Sequence, residues 1–426
     1  MSILRDLADL VEANVISEET AEDIRKHYRG KNSDTSTNRL FTVFAILGAI
    51  LVGLGIILII AHNWDDLSKS IKTFFAFLPL LLGQLSCGYT LLKKKNSKTW
   101  RESSSAFLFF AVGASISLVS QVYHIPGDLS SFLLTWMLIC LPIVYVMQSS
   151  FASLLFIAGI TYYACQASYW SFPHSDSYMY WAMLLGIIPF YYLLLRDNPK
   201  SNYSFFHNWF IPLSITIVLG TLADKNGELM YISYFSLLGI FYMLGDFNFF
   251  SKTKFSGYPI IGSLGSLILL TLLSFDWFWE DLGRRNVGWE NLFPSQEFIA
   301  ALLLTLLACV VLYFNLKQRN FKEVKPMAPL FLLFVVAFII GIYSYLAVIL
   351  INIYVLTLGL LTIREGAKQD HLGILNYGLI IITVLVVCRF FDTDLSFVIR
   401  GILFLSVGAG FFLANYMMLK KRKNES

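Results

Sequence analysis

Charge is scarce in this chain. Only 14% of its 426 residues are Asp, Glu, Lys or Arg, against roughly a quarter in soluble globular proteins. A chain so poor in charge, 57% hydrophobic and with a mean hydropathy of +0.65, needs lipid as the solvent for most of its length. Cysteine is scarce too: Cys87, Cys140, Cys165, Cys309 and Cys388 all fall inside apolar runs, with no paired spacing and no Cys-x-x-Cys. That pattern argues against a disulfide framework or thiolate metal site and leaves buried free thiols. His62, His124 and His174 share no short ligand spacing, and Asp65-Asp66 has no third carboxylate nearby to help hold magnesium. No metal is therefore expected, and no cofactor. Gly-x-Ser-x-Gly, His-Glu-x-x-His and a phosphate loop are all missing, so no motif announces hydrolytic or nucleotide chemistry. The net charge of +4 is too small and too scattered to suggest nucleic acid.

What is abundant is long apolar sequence. Runs that can cross a core of roughly 30 Å lie at 41–61, 71–92, 105–123, 130–147, 150–168, 178–195, 206–223, 229–245, 258–275, 296–315, 327–342, 344–363, 372–390 and 396–417. The expected fold class is all-α: a polytopic integral membrane bundle of about fourteen helices. The pair near 327–363 is the place where a bent or re-entrant element would change the count. Before the first run, Ile3, Leu4, Leu7, Leu10 and Val11, then Ala21, Ile24 and Tyr28, fall at helical spacing, with Ser17 placed to cap the second segment. This predicts a small cytoplasmic helical hairpin. Residues 1–38 form that hairpin and a polar linker, 39–418 the transmembrane domain and 419–426 a basic tail. No secretory signal is expected, because the chain opens on polar residues.

Positive charge sets the orientation. With the N-terminus inside, the inner segments collect Lys93, Lys94, Lys95, Lys98 and Arg101 after the second run, Lys317, Arg319, Lys322 and Lys325 after the tenth, and Lys420 to Lys423 at the end. An error of one span would invert every later loop. Both termini are thus expected in the cytoplasm, and the membrane is expected to be the bacterial cytoplasmic one. The outer loop 276–296 is rich in tryptophan, which fits interfacial anchoring with a short surface helix.

On the expected outer face, the tripeptide Asp-Leu-Ser occurs three times, at 66–68, 128–130 and 394–396. Each copy follows an aromatic residue and precedes an apolar run. Helix capping explains such a motif, since Asp or Ser satisfies the first amides and complements the helix dipole. Capping leaves other residues without an explanation: Gln121 and His124 beside Asp128, Asp65 beside Asp66, and the arginines Arg389 and Arg400 around Asp392 and Asp394. These nine residues are the candidate ligand-binding set. Arg389 and Asp392, at i and i+3, can also simply pair.

The stretches VISEETAEDI (15–24), AHNWDDLSKS (61–70), SQVYHIPGDLSSFLL (120–134) and RFFDTDLSFVIRGILFLSVG (389–408) resemble a family of bacterial membrane proteins called domain of unknown function 2157. Asn14 stands where that family leads one to expect glycine. The resemblance covers the hairpin with the first four spans and the last two, and it implies a polytopic membrane protein without supplying an activity. Three functional classes follow from the residues. The first is a transporter or flippase with a polar outer vestibule that takes a small molecule or lipid. The second is a membrane enzyme acting on a lipid-linked or envelope substrate, with Asp65, Asp128 or Asp392 as base and His124 as partner. The third is a non-catalytic assembly or sensory protein whose residues 1–30 bind a protein partner.

Overall fold

The structure, a computed structural model, describes residues 64–170, 177–245, 247, 256–284, 293–318 and 325–390, and parts of 7–24 and 396–412. In chain order the helices are α1 (Lys69–Lys93), α2 (Lys98–Tyr123), α3 (Leu129–Met147), α4 (Ser150–Ser168), α5 (Met179–Asp197), α6 (Asn202–Leu219) and α7 (Met230–Leu244). They continue as α8 (Gly257–Leu272), α9 (Trp277–Arg284), α10 (Gln296–Gln318), α11 (Leu330–Tyr343), α12 (Leu346–Lys368) and α13 (Leu372–Phe390). No strand occurs among the described residues. Ten of these helices are long and apolar enough to cross a bilayer, or up to eleven when the bent pair α8–α9 is taken as one span.

The expectation of fourteen spans is thus matched only in part. The run 41–61 lies outside the described residues, and α11, with 14 residues, is short of the roughly 20 that a straight span requires. The last run contributes a short apolar helix, Phe397–Gly410, that is described with gaps. The chain divides into two units, Met1–Ala76 and Phe77–Ser426. In the first, residues 18–24 are helical and the Thr20 amide donates to Ser17 Oγ at 3.3 Å, the expected cap. Most of the other residues of the predicted hairpin lie outside the described ones.

In the second unit, sharp turns follow from local chemistry. His124, Gln148 and Asp370 adopt left-handed backbone with φ of 52°, 46° and 50°, the conformation that ends a helix and returns the chain. At the end of α2 the amides of His124 and Ile125 bond back to Gln121 and Ser120 carbonyls at 3.4 and 2.9 Å. Side-chain contacts then group the turns at two ends. Arg101 reaches Met147 and Gln148, Lys98 lies 5.2 Å from the Tyr203 ring, and Ser153 bonds His207, so 98–101, 147–153 and 203–207 share one end. Tyr178 bonds Gln296, Glu297 bonds the 224–226 loop, and Arg389 bonds Ser274 at the other.

Two apolar cores hold this unit together. One is centred on α2 to α7 and contains Phe109, Met137, Phe156 and Tyr180; the other runs from α7 to α13 and contains Phe235, Phe334, Trp279 and Ile351. Helix α7 supplies both, Leu237, Leu238 and Phe241 to the first and Phe235, Ile240 and Met243 to the second. Hydroxyl pairs stitch the helices in the interior: Thr161 and Tyr180 meet Ser214 at 2.6 and 2.7 Å, and Ser236 meets Thr305 at 2.8 Å. All five cysteines are free.

The tryptophan-rich segment differs from the interfacial anchor predicted for it. A short helix is present as expected, but α9 turns 72° from α8 and folds Trp279 inward until it is 1% exposed. Its indole N–H donates to the Leu273 carbonyl at 2.8 Å, and its ring lies on Gly341 of α11, where a Cβ would strike it. Among the described residues of the segment, Trp277, half exposed, keeps the surface position expected of an anchor.

Candidate functional site

A groove of about 640 Å³ opens between α1, α2 and α3. Its walls are mostly apolar, with Leu80, Val112, Ile116 and Phe132 among them, Gln84, Ser115 and Thr135 are interspersed, and one end carries Asp128, Ser120 and Ser131. The sequence places the carboxylate there because His124 ends α2 and Ile125-Pro126-Gly127 cannot continue a helix. Asp128 then becomes the N-cap of α3. Ser131 N–H donates to its Oδ1 at 3.2 Å, and the Ser130 hydroxyl donates to Oδ2. These bonds, Ser130 first, hold the carboxyl at about 2, below its usual 3.8.

A stability test follows from that shift. A lowered folded-state value means the contribution of the carboxylate is complete above the ordinary pKa and is lost as pH falls through the folded one. The difference in thermal stability between wild type and Asp128→Ala should therefore be constant from neutral pH to about 4 and shrink between about 4 and 2. Melting curves of both proteins across that range check it.

Of the nine candidates, Gln121, His124 and Asp128 are exposed where α2 gives way to α3, and of these three Asp128 lines the groove. Asp65 and Asp66 are exposed in the turn before α1, where Lys72 Nζ donates to the Asp65 carbonyl at 3.4 Å and lies 5.9 Å from the Trp64 ring. Asp392 and Asp394 lie outside the described residues, as do His62, His174 and the expected Arg389–Asp392 pair. Arg400 stacks 5.0 Å over Phe397. Capping is visible at each tripeptide, but through different residues. Asp128 caps α3, whereas Ser68 Oγ accepts from the Ile71 amide and Ser396 Oγ from the Ile399 amide, both at 3.4 Å.

Arg389, half-buried, lies at the end of α13. Its guanidinium donates to Ser274 Oγ at 3.1 Å and lies 4.5 Å from the Phe275 ring, at the break between α8 and α9. Asn352 Nδ2 donates to the carbonyl of the same serine at 2.9 Å. Together they satisfy the end of a broken helix, where the dipole favours a cation. Asn352 thus bridges α12 to this break.

Two acids that no motif picks out do comparable work. Glu102 of α2 accepts from the amides of Ser150 and Phe151 at 3.1 and 2.9 Å and from the Ser149 hydroxyl, while its neighbour Arg101 donates to the Met147 and Gln148 carbonyls at 2.8 and 2.6 Å. One side chain closes the end of α3 and the next opens α4. Glu297, 1% exposed, accepts from the amides of Asp224 and Asn226 at 2.8 and 2.9 Å. An acid beside a basic residue at the start of an apolar run was the available signal for Glu102; charge counting alone passes over it. Among the described residues no three His, Cys, Asp or Glu side chains gather closely enough to hold a metal ion.

Helices of this length and apolarity, packed through serine and threonine pairs, define a multispanning helical membrane protein. Residues 8–153 match the family described as "Predicted membrane protein (DUF2157)". The matched region includes α1, α2 and α3, and hence the whole groove. Comparison with curated proteins and with solved structures returned no match.

Proposed function

We propose that the protein is a transporter or flippase-like membrane protein that takes an amphiphile into the groove between α1, α2 and α3, from the side bearing Asp128. The observation that carries this reading is the groove itself: mostly apolar along its walls, with a carboxylate and serines at one end, and within the volume range of small-molecule sites. Its form suits a hydrocarbon chain lying against Ile116 and Phe132, with a polar or cationic head at Asp128. On the positive-inside pattern, this end faces outward from a bacterial cytoplasmic membrane, and both termini are cytoplasmic. The enzyme reading has less support at this position. A carboxylate committed to a helix cap and held at about 2 is a poor general base near neutral pH.

Native mass spectrometry of the protein released from its own membrane tests the proposal. Asp128→Asn keeps a capping oxygen while removing the charge, and Ile139→Trp adds bulk at a half-exposed lining position. A co-purifying amphiphile should be present in wild type, reduced in Asp128→Asn and lost in Ile139→Trp, with melting temperatures close to wild type. The same species at the same occupancy in all three proteins would sink the reading.

A further inference from the structure

A second hollow, of about 530 Å³, lies at the opposite end of α1 and α2, in the turn that joins them, and is lined by Leu92, Lys93, Lys94, Lys95, Asn96 and Ser97. The turn is closed by backbone bonds, Lys94 N–H to the Thr90 carbonyl and Ser97 N–H to the Lys94 carbonyl, both 2.9 Å. It therefore presents its side chains from a fixed frame. Lys93, Lys94 and Lys95 are all exposed, and among the described residues none is paired with a carboxylate. The nearest acid in sequence, Glu102, is turned away onto the start of α4. Ser97 precedes α2 but its hydroxyl makes no capping bond, so that group too is open to a ligand.

Apolar surface adjoins these charges. Leu92 is 83% exposed, and Tyr89 and Trp100 are both exposed and stack across α1 and α2 at 5.5 Å. Aromatic rings concentrate at the headgroup level of a bilayer. Three unpaired ammonium groups above such a belt match the phosphate of a lipid whose chains run down the apolar face.

We propose that the α1–α2 turn is a binding site for the headgroup of an anionic phospholipid in the leaflet on that side. The site is separate from the groove and does not depend on what the groove carries. Lysines 93–95 hold the phosphate, Asn96 and Ser97 donate to its oxygens or to headgroup hydroxyls, and Leu92, Tyr89 and Trp100 receive the chains.

The full-length protein, reconstituted in phosphatidylcholine nanodiscs with a minor fraction of phosphatidylglycerol and then released for native mass spectrometry, gives the test. Wild type should retain phosphatidylglycerol above its share of the bilayer. The triple variant Lys93→Gln, Lys94→Gln, Lys95→Gln should lose that preference, at about five-fold in affinity per lysine removed. A control triple, Lys200→Gln, Lys317→Gln, Lys368→Gln, removes equal charge elsewhere on the chain and should keep it. Equal retention in wild type and the first triple would overturn the site, and so would equal loss in both triples, because the effect would then be one of net charge. Displacement of the lipid by millimolar inorganic phosphate would overturn the lipid assignment in favour of the free ion.

Discussion

Glu102→Ala is expected to destabilise the protein by about 3–5 kcal/mol, since hydrogen bonds to a charged group contribute about 1.5–3 kcal/mol each and a helix N-terminus adds its dipole. The carboxylate takes two amides and a hydroxyl at the start of α4, and alanine leaves all three donors facing a packed turn. Glu102→Gln keeps one acceptor and should lose about half as much. Arg101→Met should cost about 1.5–3 kcal/mol by exposing the final carbonyls of α3. Because α3 and α4 are joined through only the Gln148-Ser149 step, loosening either end frees the pair to splay. Thermal unfolding of the purified full-length variants in one detergent measures the order. An Ala variant no less stable than the Gln variant would show that the clamp is not electrostatic.

Gly262→Val should be worse still, and here the cause is steric. A Cβ at 262 would stand 2.6 Å from the Leu238 carbonyl oxygen and from the Tyr242 amide nitrogen. Both obstacles are backbone of α7, so no rotamer change relieves them and the helices have to part. Overpacking costs about 1–3 kcal/mol where side chains can yield, and more where they cannot. Since α7 packs into both cores, its displacement disturbs each of them. Gly262→Ala should already lose several degrees of melting temperature, and Gly262→Val should fail to run as a monodisperse species on size exclusion. Gly88→Ala, where a Cβ meets nothing within 4 Å, should be neutral or slightly stabilising, because alanine is the better helix former.

The apolar runs at 130–147 and 150–168 return almost residue for residue as α3 and α4. Hydrophobicity writes these boundaries directly, and capping residues sharpen them. Helix α2 begins at Lys98 rather than 105, because the polar Arg101 and Glu102, half-buried, bond to partners that no hydropathy window contains, and Ser104 and Ser105 are buried. The run 258–275 is broken where neither glycine nor proline marks a stop. That bend is tertiary, with Ser274 held by residues of α12 and α13 far along the chain. Asp128 was legible as a cap from its tripeptide. The groove below it was not, since a cavity depends on where three helices diverge and not on any residue pattern.

The different capping of the three Asp-Leu-Ser copies bears on whether they can be compared as internal repeats. Aligned letter by letter, Asp128 would fall on Asp66 and Asp394. Aligned by the atom that accepts from the amide three residues on, Asp128 falls on Ser68 and Ser396. The two alignments differ by two positions, about 200° around a helix, enough to bring a buried position onto the lipid side. Ser130, 7% exposed in the first turn of α3, is thus the counterpart of Ser70 and Val398. Phase in such a comparison is set by the cap, and a motif search that anchors on the aspartate will assign faces to the wrong sides of the following helix.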